Sequence, residues 1–255
     1  QNVSIKGFIY AALSSATFGL APFFTISLLL AGFSSFEVLA YRWGIASLAL
    51  VVFGIMLGET FRITGKTGNG VHPQPAPGSY LFSLVIAYQN IASGVASTIH
   101  FMYPLAVALA MMCFFREKGS VWVFAAIGMS IVGAVLLSLG NVDFTRGNTT
   151  LGMVSAAVSV VSYGGYIVGV RKSRAVGIDS TVLTCYVMGL GALYFIAGGL
   201  VTGGIRIETD GTAWLCILGV ALPATAVSNM TLVQAIKRIG PTLTSVFGAL
   251  EPLTA

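Results

Sequence analysis

The sequence predicts an all-α integral membrane protein, a ten-helix bundle built from two inverted five-helix repeats. Three observations predict this class. Only 8% of the 255 residues are charged and 56% are hydrophobic, whereas a soluble domain carries about 25% charged residues. The hydrophobic residues form blocks of about 20, which is the length that a helix needs to cross a bilayer. The chain also repeats itself over an odd number of blocks.

Nine hydrophobic segments follow one another, separated by short polar stretches. The third and ninth are shorter than a spanning helix requires. The first lacks the short apolar core and small-residue cleavage site of a signal peptide, so we expect it to stay in the membrane. The predicted helices are 7–31, 36–58, 79–92, 94–115, 120–140, 150–170, 180–202, 212–235 and 240–255.

The positions of Lys and Arg predict the orientation of these helices. Counted alternately from the N-terminus, the connections on one side carry ten of these residues and those on the other side carry two. Basic residues are enriched in cytoplasmic loops. We therefore expect a multi-pass protein of the cell membrane, from a bacterium, with its N-terminus in the cytoplasm. The net charge of +5 lies in small groups between helices, so no nucleic-acid partner is expected.

The connection 59–78 is atypical. Its stretch TGKTGNGVHPQPAPG, residues 64–78, places glycines, three prolines and His72 where the third helix should begin. A cytoplasmic loop is one explanation, and a sequencing or frame error over the first half of that helix is the other. The G-K-T-G fragment lacks the spacing of a phosphate-binding loop. The third segment is still needed, because without it the basic clusters would change sides.

An internal repeat relates the first five segments to the last four. At an offset of 145 residues, the first and second segments align with the sixth and seventh; at 148, the fourth aligns with the ninth. Five crossings are an odd number, so the second copy enters the membrane from the opposite side, as in many secondary transporters. Aligned pairs include Gly7 and Gly152, Ala11 and Ala156, Gly19 and Gly164, Tyr41 and Tyr186, Ile91 and Ile239, Ser97 and Ser245, and Pro104 and Pro252.

The repeat predicts two domains, 1–140 and 149–255. By the same offsets the second repeat should end beyond residue 255. We therefore expect it to be truncated in its fourth helix, with the C-terminal helix missing from this chain.

Three stretches carry a resemblance to a known family. They are YRWGIASLAL at 41–50, IASGVASTIHFMYPLAVALAMMCFFREK at 91–118 and RIGPTLTSVFGALEPLTA at 238–255. With the two inverted halves, they resemble the EamA family of the drug/metabolite transporter superfamily. The resemblance implies a ten-helix carrier whose central cavity is lined by helices one to four and six to nine. Members of the family move amino acids, other metabolites, nucleotide sugars or drugs.

Glu251 is the strongest candidate for a substrate-binding or proton-binding residue. It lies 11 residues into its segment, about 16 Å deep, where a carboxylate is costly unless it has a function or a neutralising neighbour. Tyr103 occupies the equivalent position in the first repeat. Pro104 and Pro252 follow these two residues, and paired interruptions of this kind indicate a transporter's binding site. We therefore expect both prolines to act as hinges, with ordinary helix kinks as the alternative.

Two further candidates are cationic or titratable. Arg42 lies about 9 Å below the membrane surface and its repeat equivalent is Val187. It could bind an anionic group such as a carboxylate, pair with Glu37 or Glu251, or extend to the interface. His100 lies one turn before the Tyr-Pro pair and could relay protons. Its alternative is a hydrogen bond to a neighbouring helix.

Four other side chains are candidates for lining the cavity, with interfacial anchoring as the alternative for the aromatic ones. No cofactor or metal is expected, because Cys113, Cys185 and Cys216 fall in apolar segments without metal-ligand spacing. These four candidates are Trp43, Tyr163, Tyr166 and Asn229.

The sequence thus predicts a secondary transporter, not an enzyme, that moves a small polar metabolite by alternating access. An amino acid or related compound is the expected substrate, with export as one candidate direction. A channel or facilitator without ion coupling is the alternative, and an integral membrane enzyme is the weaker one because paired acids and an H-E-x-x-H motif are missing from the sequence. The expected partners are the substrate and the lipid bilayer, with a proton as candidate coupling ion and a homodimer as candidate assembly.

Overall fold

The computed structural model describes residues 5–59, 78–117, 119–138, 147–172 and 179–253. Within these ranges the chain forms twelve α-helices, one π-helix and one 3-10 helix. They are α1 (Ile5–Phe18), α2 (Ala21–Leu30), α3 (Ser35–Met56), α4 (Ser79–Asn90), α5 (Ser93–His100), α6 (Tyr103–Phe115), α7 (Val121–Ser138), α8 (Thr149–Lys172), α9 (Ser180–Thr202), α10 (Gly211–Ala221), the π-helix Leu222–Val227, α11 (Ser228–Ile239), α12 (Pro241–Val246) and the 3-10 helix Phe247–Leu253.

The described helices confirm an all-helical membrane protein. Six helices or continuous helix pairs are long and apolar enough to cross a bilayer. The third predicted segment forms only the 12-residue α4, and the ninth forms the short α12 and the 3-10 helix. The atypical stretch 60–77 lies outside the described residues. The six candidate spans are Ile5–Leu30, Ser35–Met56, Ser93–Phe115, Thr149–Arg171, Ser180–Thr202 and Gly211–Ile239.

Three of the spans are interrupted near their middle, and a proline accompanies each interruption. Pro22 stands at the start of α2, Pro104 at the start of α6, and Pro223 at the start of the π-helix. Proline has no backbone N–H and its ring crowds the preceding turn, so a regular helix cannot pass through it. Beside each interruption one polar side chain is buried in the bundle: Thr25, Tyr103 and Thr225.

Side-chain caps define where several helices begin. Ser34 accepts a hydrogen bond from the Glu37 backbone N–H at 3.2 Å, and the Glu37 carboxylate accepts from the Ser34 N–H at 2.7 Å. This reciprocal pair is a capping box. Asp179 and Asp210 cap α9 and α10 in the simpler way, through one carboxylate oxygen each. Polar residues therefore fix the helix starts in a chain that is otherwise apolar.

The helices pack in three main pairs, α3 with α9, α1 with α11, and α4 with α8. At the first of these contacts the indole of Trp43 lies against Gly191, where a Cβ atom would overlap the ring. Trp43 also meets Phe195 edge to face, with ring centroids 5.6 Å apart. Small residues allow such close approach, which is what holds helices together in lipid.

Large apolar side chains cover the outside of the bundle, where lipid is the natural solvent. Exposed examples are Phe23, Leu48, Phe114, Trp122, Val161, Leu193 and Leu215.

Candidate functional site

A cavity lies where the interruption between α1 and α2 faces α3, α4, α5 and the 3-10 helix. The space not filled by atoms, including the solvent at its opening, is about 370 Å³, and only about 10 Å³ admits the centre of a water molecule. That is room for about one water molecule. Its lining is Phe18, Gly19, Ala21, Pro22, Thr25, Arg42, Leu81, Leu84, Val85, Tyr88, His100, Phe101 and Glu251.

Arg42 is the only lining residue with a permanent positive charge, and it is 2% exposed. Its Nε donates to the Thr225 hydroxyl at 2.6 Å, and its Nη2 donates to the Ala224 carbonyl at 3.4 Å. Its Cζ lies 5.6 Å from the centre of the Phe18 ring. Among the described residues no carboxylate oxygen lies within 4.0 Å of its nitrogens. The cation is therefore held by neutral groups inside the protein.

The π-helix explains why these neutral groups are available to Arg42. Thr225 donates its hydroxyl proton to the Val220 carbonyl at 2.6 Å, five residues back, and its oxygen is then an acceptor for Arg42. Wide π-turns occur frequently at functional sites. Asn229 stabilises the turn from the next helix, because its Nδ2 donates to the Thr225 carbonyl at 2.9 Å.

Glu251 closes the cavity on another side and is 2% exposed. The Tyr103 hydroxyl donates to its Oε1 at 2.8 Å. Gly248 makes this contact possible, because a Cβ atom there would overlap the Tyr103 phenol. The two residues that the repeat alignment places at equivalent positions thus form a hydrogen bond with each other.

His100 presents one ring nitrogen to the cavity. Its Nδ1 lies 2.9 Å from the Ser159 hydroxyl, and Ser159 donates its own proton to the Ala156 carbonyl at 2.6 Å. Ser159 must therefore accept from Nδ1–H, which makes Nε2 an acceptor in the neutral ring. Within the described part of the chain, neither Nε2 nor the buried Thr25 hydroxyl has a hydrogen-bond partner. These are sites that a polar ligand or a water molecule would satisfy.

A cluster of aromatic rings lies behind His100 and Tyr103. Tyr163 is at its centre, with ring centroids 4.6 Å from Tyr103, 5.4 Å from His100 and 4.7 Å from Tyr80. Tyr166 continues the stack at 6.3 Å from Tyr163. Rigid rings of this kind fix the side chains that face the cavity.

The eight predicted binding residues fall into two groups. Arg42, His100 and Glu251 line the cavity. The others lie in the layer behind it: Tyr103 contacts Glu251, Tyr163 and Tyr166 form the aromatic stack, Trp43 packs against α9, and Asn229 holds the π-helix. Of the two predicted hinges, Pro104 stands at the start of α6 and Pro252 lies in the 3-10 helix.

Thr25 and Thr225 are site residues that the sequence analysis did not identify. Both follow a proline inside an apolar segment, Thr25 three residues after Pro22 and Thr225 two residues after Pro223. These prolines could have indicated the two threonines, since polar side chains beside a helix interruption tend to face the interior.

Glu37 does not pair with Arg42. Its second carboxylate oxygen instead accepts from the Arg206 backbone N–H at 3.0 Å. This contact belongs to a polar group at the end of the bundle, formed by residues 31–41 and 203–214, which we call the Arg206 end. Here the backbone N–H groups of Asp210 and Thr209 donate to the Glu208 carboxylate and lower its pKa.

The apolar helices define a class of protein, a multi-pass membrane protein, and its internal cavity is lined by apolar side chains together with the polar groups of Arg42, His100 and Glu251. Residues 150–255 match the model of the EamA-like transporter family. This match confirms the family resemblance over that part of the chain and points to a transporter rather than an enzyme.

Two further comparisons concern a curated relative and the fold. An uncharacterized transporter of Synechocystis sp. is 29% identical over 94 residues, which are 37% of this chain and 29% of that protein. The match therefore spans less than a third of the relative's length. A crystal structure with 19% sequence identity has the same fold, with a TM-score of 0.77 over 98% of this chain and 84% of the other.

Proposed function

We propose that this chain is a secondary transporter that moves a small polar metabolite, an amino acid or a related compound, across the cell membrane by alternating access. The observation that supports the proposal is the cavity inside the bundle, which Arg42, His100 and Glu251 line together with apolar side chains. Few polar groups in an apolar enclosure are typical of small-molecule sites. The family match and the transporter relative support the same class.

The packing pattern supports two inverted repeats, 1–140 and 149–255, as the moving halves. If the first segment is equivalent to the sixth and the third to the eighth, the contact of α1 with α11 should have a counterpart between α8 and α4. Both contacts are present, and α3 with α9 pairs the second segment with the seventh. Tyr103 and Glu251, 148 residues apart, meet where the fourth segment contacts the ninth.

Basic residues at one end of the bundle support an N-terminus in the cytoplasm. There the Arg171 guanidinium donates to the Lys237 carbonyl at 3.0 Å, and Arg238 lies over the ring of Tyr10. The described part of the Arg206 end carries a single Arg and no Lys. The basic end would then be cytoplasmic.

The narrow cavity favours a carrier over a channel, because it has room for only about one water molecule, whereas conduction requires a continuous path. At the Arg206 end, the Tyr41 hydroxyl donates to the Arg206 carbonyl at 2.6 Å, and the Trp214 indole donates to the Glu208 carbonyl at 3.1 Å. The first bond ties the start of α3 to the connection between α9 and α10, and the second ties that connection to the start of α10. Alternating access would require the bond between Tyr41 and Arg206 to separate when the cavity opens toward this end.

Glu251 is the candidate for proton coupling, since a carboxyl group in the cavity can carry a proton in one state and release it in another. Tyr103 would stabilise the ionised form through its hydrogen bond. Glu251→Gln keeps the shape of the side chain and removes its titration, which makes it the variant of choice for testing the coupling.

The test is uptake of radiolabelled amino acids by proteoliposomes that contain the chain, with and without a pH gradient. We expect saturable uptake that the gradient accelerates, and a Glu251→Gln variant that exchanges substrate but no longer responds to the gradient. Uptake in the wild type that is indifferent to the gradient would refute the coupling and favour a facilitator. Flux that never saturates would favour a channel.

A further inference from the structure

We propose that Thr225 is a positioning residue that directs the Arg42 guanidinium into the cavity, so that the site selects substrates bearing a carboxylate. This inference rests on the proposed transport function and specifies its substrate class. It starts from three observations: a buried cation without a described acid partner, a hydroxyl whose own proton is committed elsewhere, and a helix that is widened at that hydroxyl.

The hydrogen bonds of the Thr225 hydroxyl have a defined direction. Thr225 gives its only hydroxyl proton to the Val220 carbonyl at 2.6 Å. Its oxygen can then only accept, and it does so from Arg42 Nε at 2.6 Å. Serine and threonine carry one donor and two acceptor positions, so this chain of bonds has a single direction. Thr225 therefore fixes the inner edge of the guanidinium group.

Part of the Arg42 guanidinium group remains available to a ligand. The guanidinium is planar and rigid, so holding Nε fixes the orientation of the whole fork. The side chain lines the cavity together with Thr25 and His100, whose buried polar atoms are unsatisfied within the described residues. A planar fork matches a carboxylate, which it can bind through two parallel hydrogen bonds.

The positive charge of Arg42 favours an anionic ligand. A cation taken out of water is stabilised far better by an anion than by neutral dipoles. Among the described residues, the Arg42 guanidinium contacts the Thr225 hydroxyl, the Ala224 carbonyl and the face of Phe18, all of which are neutral. A ligand carboxylate would supply the missing negative charge. A neutral amide of the same shape would not, so the two should bind very differently.

The π-helix positions the two groups that accept hydrogen bonds from Arg42. In a regular α-helix a threonine hydroxyl can bond to the carbonyl four residues back, as Thr231 does to the Val227 carbonyl. The widened turn instead sends the Thr225 hydroxyl to Val220, five residues back, and exposes the Ala224 carbonyl to Nη2 of Arg42. The local distortion that begins at Pro223 is therefore what places both acceptors against the arginine.

The experiment measures binding to the purified full chain by thermal stabilisation. The probes are L-leucine, L-phenylalanine, L-serine and 4-methylpentanoate, each compared with its carboxamide; only the last pair lacks an ammonium group, so it tests the carboxylate by itself. We expect at least one carboxylate to bind about 10-fold more tightly than its amide in the wild type. Thr225→Val should reduce this ratio to about 1, and Thr225→Ser, which keeps the hydroxyl, should restore it. A purely structural role for Thr225 would weaken both members of a pair equally.

Thr231→Val is the matched control. Thr231 is also buried, on the adjacent helix α11, and its hydroxyl bonds only to backbone carbonyls of its own helical region. We expect its carboxylate-to-amide ratio to equal that of the wild type. The proposal is overturned if no probe is preferred over its amide, or if Thr225→Val retains the preference. Preferential binding without flux in proteoliposomes would instead refute the transport function and leave this inference standing.

Discussion

Two arginines of this chain lie in opposite environments. Arg42 is buried in the middle of the bundle and bonds only to neutral groups, whereas Arg206 lies 44% exposed at the end of the bundle with Glu208 at 3.6 Å. Arg206 also donates to the Ala31 carbonyl and lies 3.9 Å from the centre of the Phe33 ring. The charge of Arg206 therefore has a carboxylate partner, whereas the described contacts of Arg42 are all neutral.

The difference separates a structural role from a functional one. A protein gains little from burying a cation among neutral dipoles, since replacement by an apolar side chain is often neutral or stabilising. A buried cation that contacts only neutral groups is best explained by an anionic ligand that binds to it. Arg206 needs no ligand, because its cation already has an anion, a carbonyl and an aromatic face. Removing each arginine should therefore have opposite consequences for binding and for stability.

The largest effect is expected from Arg42→Met. Loss of a buried, charge-assisted contact costs roughly 2–5 kcal/mol of binding free energy, so the affinity for the preferred carboxylate should fall by about 100-fold. The melting temperature should stay the same or rise, because an apolar side chain of similar length fills the space. Thermal unfolding with and without ligand measures both quantities. Val187→Met, at the equivalent position of the second repeat, is the control and should bind as the wild type does.

A lower melting temperature together with unchanged affinity in Arg42→Met would reverse the comparison, since Arg42 would then be the structural residue of the two.

A smaller effect of the opposite kind is expected from Arg206→Met. This change removes an exposed ion pair and a contact with Phe33, which are each worth up to about 1 kcal/mol. We expect the melting temperature to fall by about 2–4 °C and the carboxylate-to-amide ratio to stay at the wild-type value. Arg206→Lys keeps the charge and should recover only part of the loss, because Lys lacks the planar group that stacks on the ring. An altered ratio would mean that the Arg206 end belongs to the site.

The sequence was sufficient for the helices but only partly for the site. Hydrophobic blocks indicate helices directly, because this signal is local. The repeat alignment also placed Tyr103 opposite Glu251, and these two side chains are in contact in the structure. The proposed inverted repeat would account for this contact, since equivalent residues of such a repeat approach each other when they lie near the axis that relates the halves.

The lining of the cavity was harder to predict because most of these helices are apolar on all sides. In a soluble helix the polar face marks the outside, but here lipid replaces water and the pattern loses that meaning. Arg42 and Trp43 are neighbours in sequence, yet one lines the cavity and the other packs against Gly191. The contact of Arg42 with Thr225 joins helices 183 residues apart. This contact depends on how α3 packs against the π-helix, which the sequence pattern does not show.

The smallest effect concerns the pH dependence of stability at the Arg206 end. Backbone N–H groups of Asp210 and Thr209 donate to the Glu208 carboxylate and lower its pKa below the ordinary value of 4.5. A carboxylate whose pKa is lower in the folded state stabilises the fold above 4.5, and this contribution is lost as the pH falls through the lowered pKa. We expect Glu208→Gln to reduce the melting temperature by less than about 2 °C at pH 7. The difference between variant and wild type should shrink as the pH approaches 3. Melting curves of both proteins between pH 7 and pH 3 measure it, and a constant difference would show that Glu208 acts through its shape and not through its charge.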